Sequence, residues 1–110
     1  MCYFSLTLAS TQTKMIKQAL ANLKISALNE MQQSAISAAK KNDVVLLSPT
    51  GSGKTLGFLL PLLALLDIEI TTVQALILVP SRELALQIEQ VFKTIGSGFK
   101  VNCCYGGHPV

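Results

Sequence analysis

The eight residues Ser48-Pro49-Thr50-Gly51-Ser52-Gly53-Lys54-Thr55 constrain this chain most, because they place a glycine-bearing turn between an apolar run and a helix. Upstream, Asp43-Val44-Val45-Leu46-Leu47 is short, β-branched and continuously apolar, the pattern of a strand buried on both faces of a parallel sheet. Downstream, Leu56 onward reads as helix. A turn of this composition between a strand and a helix has the form of a phosphate-binding loop.

Gly51 and Gly53 lack Cβ, so the backbone can curl into a nest whose N–H groups point inward. The start of the next helix adds its unpaired amides and the positive end of its dipole. In such a loop Lys54 reaches the β and γ phosphates and the Thr55 hydroxyl ligates Mg²⁺. The pattern G-x-x-x-x-G-K-[ST] is met except at its first position, where Ser48 stands. A plain polar connection between strand and helix is the competing explanation.

Composition narrows the context. Half of the 110 residues are hydrophobic and 14% are charged, which suggests a well-buried core, with both-face burial of strands as its source. The net charge of +3 is too small to mark a basic nucleic-acid surface by itself. Cys2, Cys103 and Cys104 have neither zinc-ligand spacing nor an even count, so a reducing compartment fits best. No basic residue precedes Lys14, so residues 1–12 read as a leader without the charged start of a signal peptide. The apolar run from Leu56 to Leu66 contains Pro61 and falls short of the roughly 20 residues that cross a bilayer.

In chain order, Met15, Ile16, Ala19, Leu20 and Leu23 recur at helical spacing over about Thr13–Leu23. Asn29 is placed to cap a second helix with Met31, Ala35, Ile36 and Ala39 on its apolar stripe. The helix after the loop spans about residues 53–66, with Pro61 expected to bend it. Ala75-Leu76-Ile77-Leu78-Val79 reads as a second buried strand stopped by Pro80. Ser81 then caps a helix to about Ile95, and Gly96-Ser97-Gly98 ends it. Phe99–Tyr105 reads as a third strand before a Gly106-Gly107 turn. Strands alternating with helices imply right-handed crossovers and a parallel sheet. The expected fold class is therefore α/β, an incomplete P-loop domain with a parallel sheet flanked by helices over residues 13–110.

The loop S-P-T-G-S-G-K-T, the later P-S-R-E-L-A-L-Q from Pro80 to Gln87 and the Gly106-Gly107 pair, in that order, resemble the first RecA-like lobe of DEAD-box RNA helicases. The resemblance covers about residues 13–110 and implies ATP and Mg²⁺ as cofactors and single-stranded or duplex RNA as partner. It also implies a second RecA-like lobe in the intact protein, a cytoplasmic location and no membrane. By the same resemblance Thr50, Gly51, Ser52, Gly53, Lys54 and Thr55 bind the nucleotide, with Lys54 and Thr55 serving catalysis and Thr55 holding Mg²⁺. Pro80, Ser81, Arg82, Gly106 and Gly107 are implied to contact RNA. An adenine-reading glutamine falls on Gln32, with neighbouring Gln33 as competitor.

The chain departs from the family's pattern in several places. Ser81 stands where threonine is usual and keeps the hydroxyl. Two prolines expected before the glutamine are missing, and Met15 occupies the place of an adenine-stacking aromatic. The 110 residues contain no Asp-Glu-Ala-Asp and no Ser-Ala-Thr element. Phosphate binding without hydrolysis is therefore expected of these residues alone. The alternatives are a RecQ-type DNA helicase fragment and a non-catalytic nucleotide-binding fragment. Local capping alone also explains Ser81 and Glu83.

Overall fold

A computed structural model describes residues 14–105, which contain four helices. Helix α1 is described over residues 14–22, and α2 runs Glu30–Ala39, α3 Lys54–Leu65 and α4 Arg82–Ile95.

Helix α3 is the centre of the core. Apolar residues surround it, and Leu59, Leu60 and Leu63 are almost entirely removed from solvent, as the all-round pattern of a buried helix requires. Each such leucine contributes roughly 1.5–3 kcal/mol of burial. Pro61 lies inside this helix and is buried; it removes the N–H that would reach the Gly57 carbonyl, yet the helix continues to Leu65.

The other helices pack around that axis by their apolar stripes. On α4, Ile88, Phe92 and Ile95 repeat at intervals of four and three and face the core, while Ala19 of α1 is fully buried. The Asn22 amide of α1 donates to the Ile95 carbonyl at 2.7 Å, satisfying an orphan carbonyl at the end of α4, and Gly96 closes that end at φ 70°. Helix α2 approaches α3 at Gly57. A Cβ there would lie 2.9 Å from Leu46 Cδ2 and 3.0 Å from Met31 Sδ, so glycine sets how closely these elements meet.

The expected parallel sheet is not formed. Residues 43–49, 73–79 and 99–105 carry no regular secondary structure, and the described residues contain no strand. A helix satisfies its backbone internally, whereas a strand needs a neighbour to accept and donate its hydrogen bonds. These segments have the apolar composition of strands without that pairing. Val45, Leu47, Leu76 and Leu78 are at least 80% exposed. Of these runs the second and third reach the core in part, through Val79, Phe99 and Val101. Cys103 and Cys104 are free thiols, half-buried and exposed respectively.

Candidate functional site

The junction between the irregular segment 43–49 and α3 is shaped by its own sequence. Pro49, Thr50, Gly51 and Ser52 form a turn closed by the Ser52 N–H donating to the Pro49 carbonyl at 3.2 Å. Its third position, Gly51, has φ 83°, the conformation a type II turn demands and glycine supplies without strain. The Ser52 hydroxyl donates to the same carbonyl at 2.6 Å, leaving its oxygen to accept from the Ser48 hydroxyl. Ser48, the mismatch to the loop pattern, thus braces the turn from within.

Gly53 is the N-cap of α3 at φ 88°, and the amides of the first α3 turn have no intrahelical acceptor. They form, with the Lys54 ammonium and the Thr55 hydroxyl, a donor set suited to a polyanion. Lys54 is exposed and Thr55 half-buried. A polyphosphate and its magnesium fit the residues present here: Lys54 and the loop amides would hold the phosphates and Thr55 the metal, which would draw charge from the terminal phosphate.

Helix α2 is fastened to this loop by two carboxamides. Asn29 and Gln32 form a reciprocal capping box, with the Gln32 N–H donating to Asn29 Oδ1 at 2.9 Å and the Asn29 N–H donating to Gln32 Oε1 at 3.0 Å. The opposite ends of the same side chains reach the loop. Asn29 Nδ2 donates to the Ser52 carbonyl at 2.8 Å, and Gln32 Nε2 donates to the Gly53 carbonyl at 3.1 Å. Gln32 is the buried polar residue of the described region, 5% exposed. Its engaged carboxamide still has one N–H and one lone pair to offer. Neighbouring Gln33 instead donates to the Leu28 carbonyl and remains exposed, so the structure brings Gln32 and not Gln33 to the loop. Met15 packs against the hydrophobic core.

A cleft of about 1030 Å³ joins the loop to segment 73–79, with Gly53, Lys54 and Thr55 on one side and Leu76, Val79 and Pro80 among the residues on the other. Ser81 and Arg82 stand outside that lining. The Ser81 hydroxyl accepts the Leu84 N–H at 3.2 Å, as an N-cap does. Arg82 lies over the Tyr105 ring, 5.0 Å from its centroid, a cation–π contact that the sequence pattern gave no means to foresee. Gly106 and Gly107 lie outside the described residues. Among the described residues no group of His, Cys, Asp and Glu forms a metal cluster, and no helix is long and apolar enough to cross a membrane.

With this geometry in place, the comparisons define a class: residues 29–110 match the DEAD/DEAH box helicase family, and the chain belongs to it. It is 44% identical over 88 residues to the ATP-dependent RNA helicase DDX47 of Drosophila melanogaster, covering 79% of this chain and 17% of that protein. It is likewise 44% identical over 87 residues to the ATP-dependent rRNA helicase rrp3 of Emericella nidulans, covering 78% of this chain and 19% of that protein. Identity is 42% over 81 residues to the eukaryotic initiation factor 4A-9 of Nicotiana tabacum, covering 72% of this chain and 20% of that protein. The chain thus spans about a fifth of the length of these relatives. No solved structure gives a significant match.

Proposed function

We propose that this chain binds ATP with Mg²⁺ through the loop from Thr50 to Thr55 and acts as the nucleotide-binding part of an ATP-dependent RNA helicase. The observation that carries the reading is the loop itself: a turn closed on Pro49, two glycines at positive φ, and a helix start with free amides beside Lys54 and Thr55. Family membership supports RNA over DNA as the nucleic acid and disfavours the RecQ-type alternative.

In this reading the loop amides orient the phosphate chain, and Lys54 neutralises its terminal groups. Gln32 presents its remaining donor and acceptor to the adenine edge. Pro80, Ser81 and Arg82, with Gly106 and Gly107, meet the RNA backbone. Opening of RNA duplexes, a second RecA-like lobe and a cytoplasmic location belong to the same proposal. Hydrolysis needs a positioned water and a group to orient it, which the loop residues do not supply.

The test is calorimetric titration of ATP and GTP, each with Mg²⁺, into the chain and into Lys54→Ala. The reading expects ATP to bind more tightly than GTP and Lys54→Ala to lose about a hundredfold in ATP affinity, the scale of a lost hydrogen bond to a charged group. Equal ATP affinity in the two proteins, with unchanged circular dichroism, would overturn it.

A further inference from the structure

We infer that Tyr105 is a positioning residue for Arg82: its ring holds the guanidinium by one flat face and leaves the N–H edge for a phosphate of single-stranded RNA. The inference rests on the RNA-contact reading of Arg82 above.

Arg82 stands where a helix disfavours a cation. It is the first residue of α4, beside the positive end of the dipole, and Glu83 is the acidic residue of that turn. No carboxylate compensates the charge, since the ion pair among the described residues joins Lys93 to Glu89 at 3.2 Å. The guanidinium lies instead over the Tyr105 ring, with Cζ 5.0 Å from the centroid.

The ring is the fixed half of this pair. Over residues 99–105 half-buried and exposed positions alternate, and Tyr105 falls in step with Phe99 and Val101, which pack against the hydrophobic core. Arg82 is exposed. All the N–H donors of a guanidinium lie in its plane, so a contact to its face consumes none of them. The same contact removes freedom that a long exposed side chain would otherwise lose on meeting a phosphate. An arginine held by a carboxylate would instead have to give up its partner before it could donate to RNA.

Fluorescence anisotropy of the chain with a short labelled oligouridylate tests the role. Tyr105→Phe keeps the ring and should bind as the native chain does. Tyr105→Leu keeps an apolar side chain but no π face, and should bind about threefold more weakly, the scale of an exposed cation–π contact, with helix content unchanged. The double variant with Arg82→Ala decides the route. Once Arg82 is gone, Tyr105→Leu should weaken binding no further, because the ring acts only through the guanidinium.

Native or tighter binding by Tyr105→Leu, where Arg82→Ala binds more weakly, would overturn the inference and leave the RNA reading of Arg82 standing. An equal loss from Tyr105→Leu with and without Arg82 would also overturn it, since the ring would then meet RNA itself. If Arg82→Ala binds as tightly as the native chain, or the native chain does not bind the strand, the RNA reading of Arg82 fails and the positioning role fails with it.

Discussion

Two junctions in this molecule carry an irregular apolar segment into a helix, and they are built differently. At the first, the turn before α3 is closed on itself by Ser48 and Ser52 and held from outside by Asn29 and Gln32, residues more than twenty positions earlier. At the second, the turn before α4 has a local cap from Ser81 and the stack of Arg82 on Tyr105. The first is preset by tertiary contacts that orient backbone donors, whereas the second leaves charged and polar side chains exposed on a simple helix start. A preset cradle of amides suits a small polyanion of fixed shape. An exposed arginine suits a longer, adaptable phosphate backbone.

Gly53→Ala should break the contrast most strongly. An added Cβ would lie 2.5 Å from Gln32 Nε2, and alanine is strained at φ 88°. The expected cost is roughly 1–3 kcal/mol in urea unfolding, with a matching loss of ATP affinity. Native stability and affinity in this variant would mean that the loop is not held as described.

A smaller effect is expected at the second junction. Ser81→Ala removes the bond to the Leu84 N–H and should lower stability by about 1 kcal/mol, leaving ATP affinity unchanged. A fall in ATP affinity comparable with that of Gly53→Ala would erase the proposed division between the junctions.

The smallest effect is sought at Arg82. Arg82→Ala should weaken binding of short single-stranded RNA similarly for all sequences and lower the salt slope by about one unit, since one phosphate contact is lost. ATP titrations should not change. Fluorescence anisotropy over a salt series reads this directly, and an unchanged slope would leave Arg82 with its Tyr105 contact as its sole role.

Much of the helical structure is legible in the sequence because helices are written locally. Asn29 and Ser81 stand at the caps they were expected to form, Gly96 ends α4, and the stripe of Ile88, Phe92 and Ile95 faces the core. The turn before α3 is legible for the same reason, since Gly51 and Gly53 stand at positive φ within it. The bond from Asn29 to the Ser52 carbonyl is not, because a carboxamide that caps its own helix can also donate to a distant carbonyl, and no spacing rule links positions 29 and 52. Nor could the sequence reveal that its strand-like runs would remain unpaired. An apolar run such as Val44–Leu47 states what it would bury, but pairing depends on a neighbour that periodicity does not specify. Val45 and Leu47 show this by standing more than four-fifths exposed.

The central claim is that the backbone from Gly51 to Thr55 receives a phosphate chain. Amide-resolved nuclear magnetic resonance of the chain titrated with ATP and Mg²⁺ tests it most directly. The account predicts the largest shifts at the amides of Gly51, Ser52, Gly53, Lys54 and Thr55, with smaller ones at the facing Val79 and near Gln32. Shifts concentrated instead around surface lysines such as Lys40 and Lys41, with the loop amides unmoved, would contradict it.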